Sequence, residues 1–141
     1  MNIREAVPGD AKFISSLLDQ LGYPDFSEAD AREKIELYTK PGYRMLVSVD
    51  RAGGVVGFIA LHWFELVHWK GMMGRITAFC IDEKIRGQGF GQQLLLAGEF
   101  ILREHGAIKI EVTSNARRAD AHRFYLKAGY TEDSKRFVKY Y

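Results

Sequence analysis

Apolar positions along this chain repeat with two different periods, and the switches between them predict a series of helices and strands. Residues 2–7 read as a short strand ended by Pro8-Gly9. Phe13, Ile14, Leu17, Leu18 and Leu21 then recur at three- and four-residue spacing, which predicts an amphipathic helix with Asp10 as its N-cap. Gly22 can close that helix in a left-handed conformation, and Tyr23-Pro24 forbids its continuation. Ser27-Glu28-Ala29-Asp30 resembles a capping box opening a second helix to about Thr39, stopped by Pro41-Gly42. Residues 44–50 and 55–65 are apolar, strand-length runs joined by Arg51-Ala52-Gly53-Gly54, a hairpin turn.

A further strand is expected over residues 72–82, with Ile76, Ala78 and Cys80 on one face and Thr77, Phe79 and Ile81 on the other. Leu94, Leu95, Ala97, Gly98, Ile101 and Leu102 form the apolar side of a helix over 90–105, ended by Gly106. Residues 107–113 predict a strand, 119–128 a helix closed by Gly129, and 136–141 a last strand. The segment 72–113 is a strand–helix–strand crossover, so its two strands should lie parallel with a right-handed connection. The remaining pairings look antiparallel. The fold class is therefore a mixed-sheet α/β or α+β domain, and 141 residues fit a single one spanning 1–141.

Composition narrows the function classes. At 47% hydrophobic and 13% aromatic residues, the chain can bury a core, which excludes a disordered protein. Twenty basic residues against eighteen acidic ones leave a net charge of +2, without the basic block of a nucleic-acid binder. No apolar run approaches the roughly 18–20 residues needed to cross a bilayer, and the N-terminus lacks a signal peptide's apolar stretch. Cys80 is the one cysteine, so no internal disulfide forms. A cytoplasmic protein with no nucleic-acid or membrane partner is expected. His62, His68, His105 and His122 show no ligand spacing, and no metal is expected.

The sharpest chemical signal is Arg86-Gly87-Gln88-Gly89-Phe90-Gly91-Gln92, running from the end of a strand to the start of a helix. Alternating glycines remove side chains where a ligand must meet the backbone. The first amides of the following helix lack partners within it, and with the helix dipole they suit a pyrophosphate. No Lys-Ser/Thr pair follows, so this is not a Walker loop, and the G-x-G-x-G spacing is not the dinucleotide fingerprint.

In this strand–loop–helix setting the segment resembles the signature of the GNAT superfamily of acyl-CoA N-acyltransferases: Gln or Arg, two residues, Gly, one residue, Gly or Ala. Ala121-His122-Arg123-Phe124-Tyr125-Leu126-Lys127-Ala128-Gly129-Tyr130 resembles that family's A-x-x-x-Y-x-x-x-G-F/Y element. The resemblance covers most of the chain. It implies a GNAT-like fold, a mixed central sheet flanked by about four helices, and acetyl-CoA as cosubstrate. By the same resemblance, backbone groups of Phe79, Cys80 and Ile81 would pair with the pantetheine arm in a gap between splayed strands. Amides of Gly87, Gln88, Gly89, Phe90, Gly91 and Gln92 would hold the pyrophosphate, with side-chain help from Arg86 and Gln92. Phe124 and His122 join the cofactor-binding set. Arg117, Arg118, Arg123 and Lys127 either face the cofactor's phosphates or form an ordinary solvated helix surface.

Tyr125 is the family's usual proton donor to the leaving thiolate; the other reading of the residue is a core aromatic. A backbone N–H near the end of the 72–82 strand would polarise the thioester carbonyl. Many relatives place a Glu base in mid-strand where this chain has Thr77, which is no base near neutrality. Glu111 is the catalytic alternative if it points into the cleft; it is otherwise a strand-edge carboxylate, and a water chain serves equally well. Arg118 holds the position of the family's pantetheine-binding Asn, while Asn115 lies three residues earlier. Ser114-Asn115-Ala116-Arg117-Arg118-Ala119-Asp120-Ala121-His122 resembles a branch that includes aminoalkylphosphonate acetyltransferases. Cys80 reads as buried and inert. The aromatic run from His62 to Trp69 reads as an acceptor wall or a dimer surface, and exposed Trp63 and Trp69 would favour a homodimer.

These readings converge on an N-acetyltransferase that moves acetyl from acetyl-CoA to a primary amine, of a small molecule, by direct attack in a ternary complex. A catalytically idle acyl-CoA sensor and a protein N-terminal or lysine acetyltransferase are the alternatives.

Overall fold

The computed structural model describes residues 2–113 and 119–141. Strands β1 (Asn2–Glu5), β2 (Tyr43–Val49), β3 (Val55–Glu65), β4 (Met72–Ile81) and β5 (Ala107–Val112) form one sheet in the order β1-β2-β3-β4-β5. Helices α1 (Ala11–Leu21) and α2 (Glu28–Leu37) precede β2, α3 (Phe90–Glu104) links β4 to β5, and α4 (Ala119–Lys127) follows. All pairings are antiparallel except β4 with β5, which run parallel as a crossover requires.

Each face of the sheet has its own core. On one, Met45, Val47, Val49, Phe58, Ala60 and Cys80 pack against Ala11, Ile14 and Leu17 of α1 and Ala31 and Ile35 of α2. On the other, Leu46, Ile59, Leu61, Trp63 and Ile76 meet Leu94, Leu95 and Leu102 of α3. Strand β3 lies between two neighbours and under helices on both faces, so seven successive residues from Val55 are buried and its alternation is invisible in the sequence. Gly98 lets α3 approach that strand closely: a Cβ there would come within 2.9 Å of the Ile59 side chain.

Three expectations about local structure change. Asp10 does not cap α1 with its side chain. It accepts from the Val7 N–H at 2.9 Å and from both Arg4 terminal nitrogens at 2.8 and 3.0 Å, closing the short turn Pro8–Asp10 instead. Burial works to raise the Asp10 carboxyl, but these bonds outweigh it and hold the group below the usual carboxylate range. The capping box at the second helix does form, with Asp30 N–H donating to Ser27 Oγ at 3.1 Å and Ser27 N–H to Asp30 Oδ2 at 3.0 Å.

The last strand expected over 136–141 is absent. Asp133 is drawn to Lys109 of β5 at 3.7 Å, and Ser134 then takes a φ of 44°, which breaks extended backbone. Beyond it the chain joins no ladder, and Phe137 and Tyr141 stay exposed. The third change is in β4, where strict alternation fails at Thr77.

Candidate active site

The register of β3 against β4 pairs Ala60 with Ala78 and Leu61 with Ile76, so Thr77 is one residue too many on β4. This is a β-bulge in mid-strand. Ile76 therefore shares the α3 face with Phe79 and Ile81, while Thr77, Ala78 and Cys80 turn to the α1 and α2 face. The expected grouping of Ile76 with Ala78 and Cys80 is corrected by that single extra residue.

The bulge marks the place where β4 and β5 part. Their last pair is Ile76 with Val112; residues 77–81 continue with no ladder to any described residue on that side. A strand edge left open in this way offers backbone groups to an extended ligand, as an added strand would take them. Phe79 and Ile81 line the α3 side of the gap. Phe124 and Tyr125 of α4 complete the wall, with ring centroids 5.7 and 6.4 Å from Phe79. Cys80 contributes its backbone alone. Its side chain is buried against α1, where Sγ reaches the Leu17 carbonyl at 3.4 Å.

The glycine loop opens directly from the end of β4. Asp82 accepts from the Lys84 N–H at 3.1 Å, and the Gln20 side chain on α1 takes the Glu83 N–H at 3.0 Å, so the loop's base is held from two sides. Gly87 and Gly89 have φ of 83° and 87°, left-handed values that other residues adopt at a cost of roughly 1–2 kcal/mol. A Cβ added at either would meet no atom within 4 Å. Gly89 is the N-cap of α3, and no side chain caps the helix from within. The first amides of this 15-residue helix thus have no side-chain cap among the described residues. Gly91 differs: its added Cβ would touch the Phe124 ring at 3.5 Å, so it serves packing between α3 and α4. Arg86 turns back, its Nε donating to the Ile81 carbonyl at 3.1 Å.

Tyr125 is half-buried between Phe79, Phe124 and Tyr130, whose ring centroid is 5.6 Å away. The Tyr130 amide closes α4 on the Tyr125 carbonyl at 3.0 Å, and its phenol donates to Glu99 Oε2 on α3 at 2.7 Å. Burial, and then the Glu99 carboxylate, push the Tyr130 phenol far above its ordinary value. The helix carrying Tyr125 is thereby tied to the helix carrying the loop. His122 is half-buried on the same helix, and Arg123 pairs with Asp120. Asn115, Arg117 and Arg118 lie outside the described residues.

On the α2 side of the bulge runs a row of polar and aromatic side chains. The Tyr38 hydroxyl is 2.7 Å from Thr77 Oγ1, which in turn donates to the Ala60 carbonyl at 3.2 Å. Tyr38 meets Tyr43 edge-on at 5.1 Å; Tyr43 stacks on His62 at 4.3 Å, and His62 on Phe64 at 4.9 Å. Arg75 lies over Phe64 and pairs with Glu111, its Nε donating to Oε1 at 2.6 Å. Glu111 thus lies in this row, with Oε1 already engaged. Tyr38 and Arg75 were not legible as candidates, because only the fold brings the end of α2 to the bulge and only the register of β4 sets Arg75 beside His62. Trp63 is corrected: it is buried, stacked on His105 at 4.1 Å, and belongs to the core. Trp69 is half-buried under Lys109.

An open cavity of about 490 Å³ lies between Phe90 and the turn residues Asp50, Arg51 and Ala52, beside the loop. Another, of about 400 Å³, lies along the edge of β2 and shares Tyr38 and Tyr43 with the aromatic row. Among the described residues no three His, Cys, Asp or Glu side chains gather to hold a metal, and no helix is long and apolar enough to cross a membrane.

Comparison with known proteins agrees with this geometry. The profile of the Acetyltransferase (GNAT) family matches residues 11–130. An aminoalkylphosphonate N-acetyltransferase from Salmonella typhimurium is 33% identical, the match covering 97% of this chain and 89% of that one. The structure superposes on a transcriptional regulator from Bacillus halodurans with a TM-score of 0.87 at 23% identity, covering 99% of both chains. Glucosamine-6-phosphate N-acetyltransferase from Arabidopsis thaliana gives 0.83 at 18% identity, covering 99% of this chain and 97% of the other. At those identities the structural likeness speaks for the fold alone. The sequence match, the open strand edge and the glycine loop together establish that this chain is an acyltransferase belonging to the GNAT acetyltransferase family.

Proposed function

We propose that the protein transfers an acetyl group from acetyl-CoA to the primary amine of a small molecule, by direct attack in a ternary complex. The observation that carries this reading is the parting of β4 and β5 immediately after the Thr77 bulge, next to an uncapped helix N-terminus. Acetyl-CoA, as cosubstrate, supplies the thioester. Amides of Gly87, Gln88, Gly89, Phe90, Gly91 and Gln92 hold its pyrophosphate, and the open edge at Phe79, Cys80 and Ile81 orients its pantetheine arm. A backbone N–H freed near the bulge stabilises the charge that develops on the carbonyl oxygen. Tyr125 hands its proton to the departing thiolate.

The acceptor belongs on the α2 side of the bulge, where Arg75 and Glu111 offer a cation and an anion side by side. That pair, and the relative named for aminoalkylphosphonates, make small amines bearing an acidic group the first acceptors to try. The test is thiol release from acetyl-CoA across a panel of such amines, with the acetylated product identified by mass spectrometry. Acetyl-CoA binding without turnover of any amine would leave a sensor and overturn the proposal.

A further inference from the structure

The acceptor amine arrives protonated and must lose a proton before it can attack, yet neither Thr77 nor the engaged Glu111 is suited to take it. We propose that His62, held by the Gly42 carbonyl and stacked between Tyr43 and Phe64 on the acceptor side of the bulge, is the proton acceptor for that amine. The inference rests on the acetyl-transfer reading and deepens it.

Its first support is the tautomer. His62 Nδ1 lies 2.7 Å from the Gly42 carbonyl oxygen, which can only accept, so the neutral ring carries its proton on Nδ1. The lone pair is therefore on Nε2, and among the described residues nothing hydrogen-bonds that nitrogen. Stacking on Tyr43 at 4.3 Å and Phe64 at 4.9 Å fixes the ring plane, as a base must be fixed to act repeatedly in one geometry.

The second support is location. His62 pairs across the sheet with Tyr43 on β2 and Arg75 on β4, and Thr77 lies two residues beyond Arg75 on the same face. The ring is half-buried, reachable from solvent but partly shielded from it. The polar and charged groups around it are Tyr38 from α2, Tyr43 from β2, Arg75 from β4 and Glu111 from β5. The Arg75–Glu111 pair is close to neutral as a unit, so an imidazolium formed there faces no net cation.

The proton balance closes. The ammonium gives one proton to Nε2, directly or through one water, and the freed lone pair forms the N–C bond to the thioester carbonyl carbon. The C–S bond breaks, and the nitrogen's second proton leaves as the thiolate is protonated by way of Tyr125. Imidazolium releases its proton to solvent, so each turnover yields amide, thiol and one proton.

His62→Asn tests this, because the Asn amide can still donate to the Gly42 carbonyl but offers no basic nitrogen. Turnover of a strongly basic amine should fall by about 10²–10⁴-fold, with the cooperative fold and acetyl-CoA affinity retained. The acid limb of the kcat/KM profile against pH should vanish in the variant. Free imidazole should partly restore His62→Ala, and weakly basic amines, already neutral at the assay pH, should lose little. A near-parental rate with the acid limb intact overturns the base while leaving acetyl transfer standing. A parent that binds acetyl-CoA and acetylates no amine overturns both. Nitrogen-15 spectra of the parent give an independent check: protonation at Nδ1 is expected, and at Nε2 it would refute the assignment.

Discussion

Tyr38 at the end of α2 and Thr77 at the bulge of β4 meet hydroxyl to hydroxyl at 2.7 Å. Because Thr77 Oγ1 also donates to the Ala60 carbonyl, it accepts from Tyr38, and the two bonds pin the extra residue where β4 leaves β5. The helical layer is thus tied to the point where the two substrates are proposed to meet.

Tyr38→Phe removes that tie and little else. Stability should fall by about 1 kcal/mol, the usual net worth of such a bond. KM for the amine should rise by roughly fivefold if the same energy is lost from acceptor positioning, while acetyl-CoA affinity holds. Steady-state kinetics in both substrates would show the split, and unchanged kinetics would make the bond purely structural.

Tyr125→Phe separates proton donation from packing. The ring would keep its contacts with Phe79, Phe124 and Tyr130, so melting and acetyl-CoA binding should change little. If the phenol protonates the leaving thiolate, turnover should drop by about 10²–10⁴-fold. A rate within a few-fold of the parent on a good amine would assign Tyr125 to packing alone.

The tyrosine that ties α4 to α3 predicts an alkaline weakness. The folded state raises the Tyr130 phenol, by burial first and by Glu99 second, so the folded protein keeps a proton that the unfolded chain gives up. Its contribution is complete below the unfolded value, near pH 10, and is lost as pH climbs from there toward the folded value. Tyr38, raised by burial against the opposing Thr77 bond, acts in the same sense. Thermal melts should show parent stability declining above about pH 10, and Tyr130→Phe declining less steeply over that window.

The geometry of the loop was readable in the sequence because its parts are local: glycines, a strand end and a helix start are contiguous in the chain. The same holds for the hairpin, the crossover and the Ser27 capping box. The bulge was not readable, since Ile76-Thr77-Ala78 looks like ordinary alternation and only register against β3 exposes the extra residue. Asp10 misled for a related reason: its partner, Arg4, is on β1 and outcompetes the helix. Residues 136–141 have a strand's composition, yet a strand exists only where an edge receives it, and Ser134, with a φ of 44°, breaks the extended backbone just before them. Of the row beside the bulge, His62, Phe64 and Glu111 were within reach of the sequence, but Tyr38, Tyr43 and Arg75 were not, because the row is assembled from α2, β2, β3, β4 and β5.

Calorimetric titration of acetyl-CoA into the parent and into Gly89→Val reads the proposed pyrophosphate site itself. Gly89 is the left-handed N-cap of α3, and a branched side chain there would crowd the start of the helix, where among the described residues no side chain caps the first amides. The parent should bind, and the variant, still cooperatively folded though somewhat less stable from the strained φ, should bind about tenfold or more weakly, the loss of one charge-assisted bond. Equal affinity in a folded Gly89→Val protein would contradict the placement of the pyrophosphate, and with it the binding of acetyl-CoA along the gap between β4 and β5.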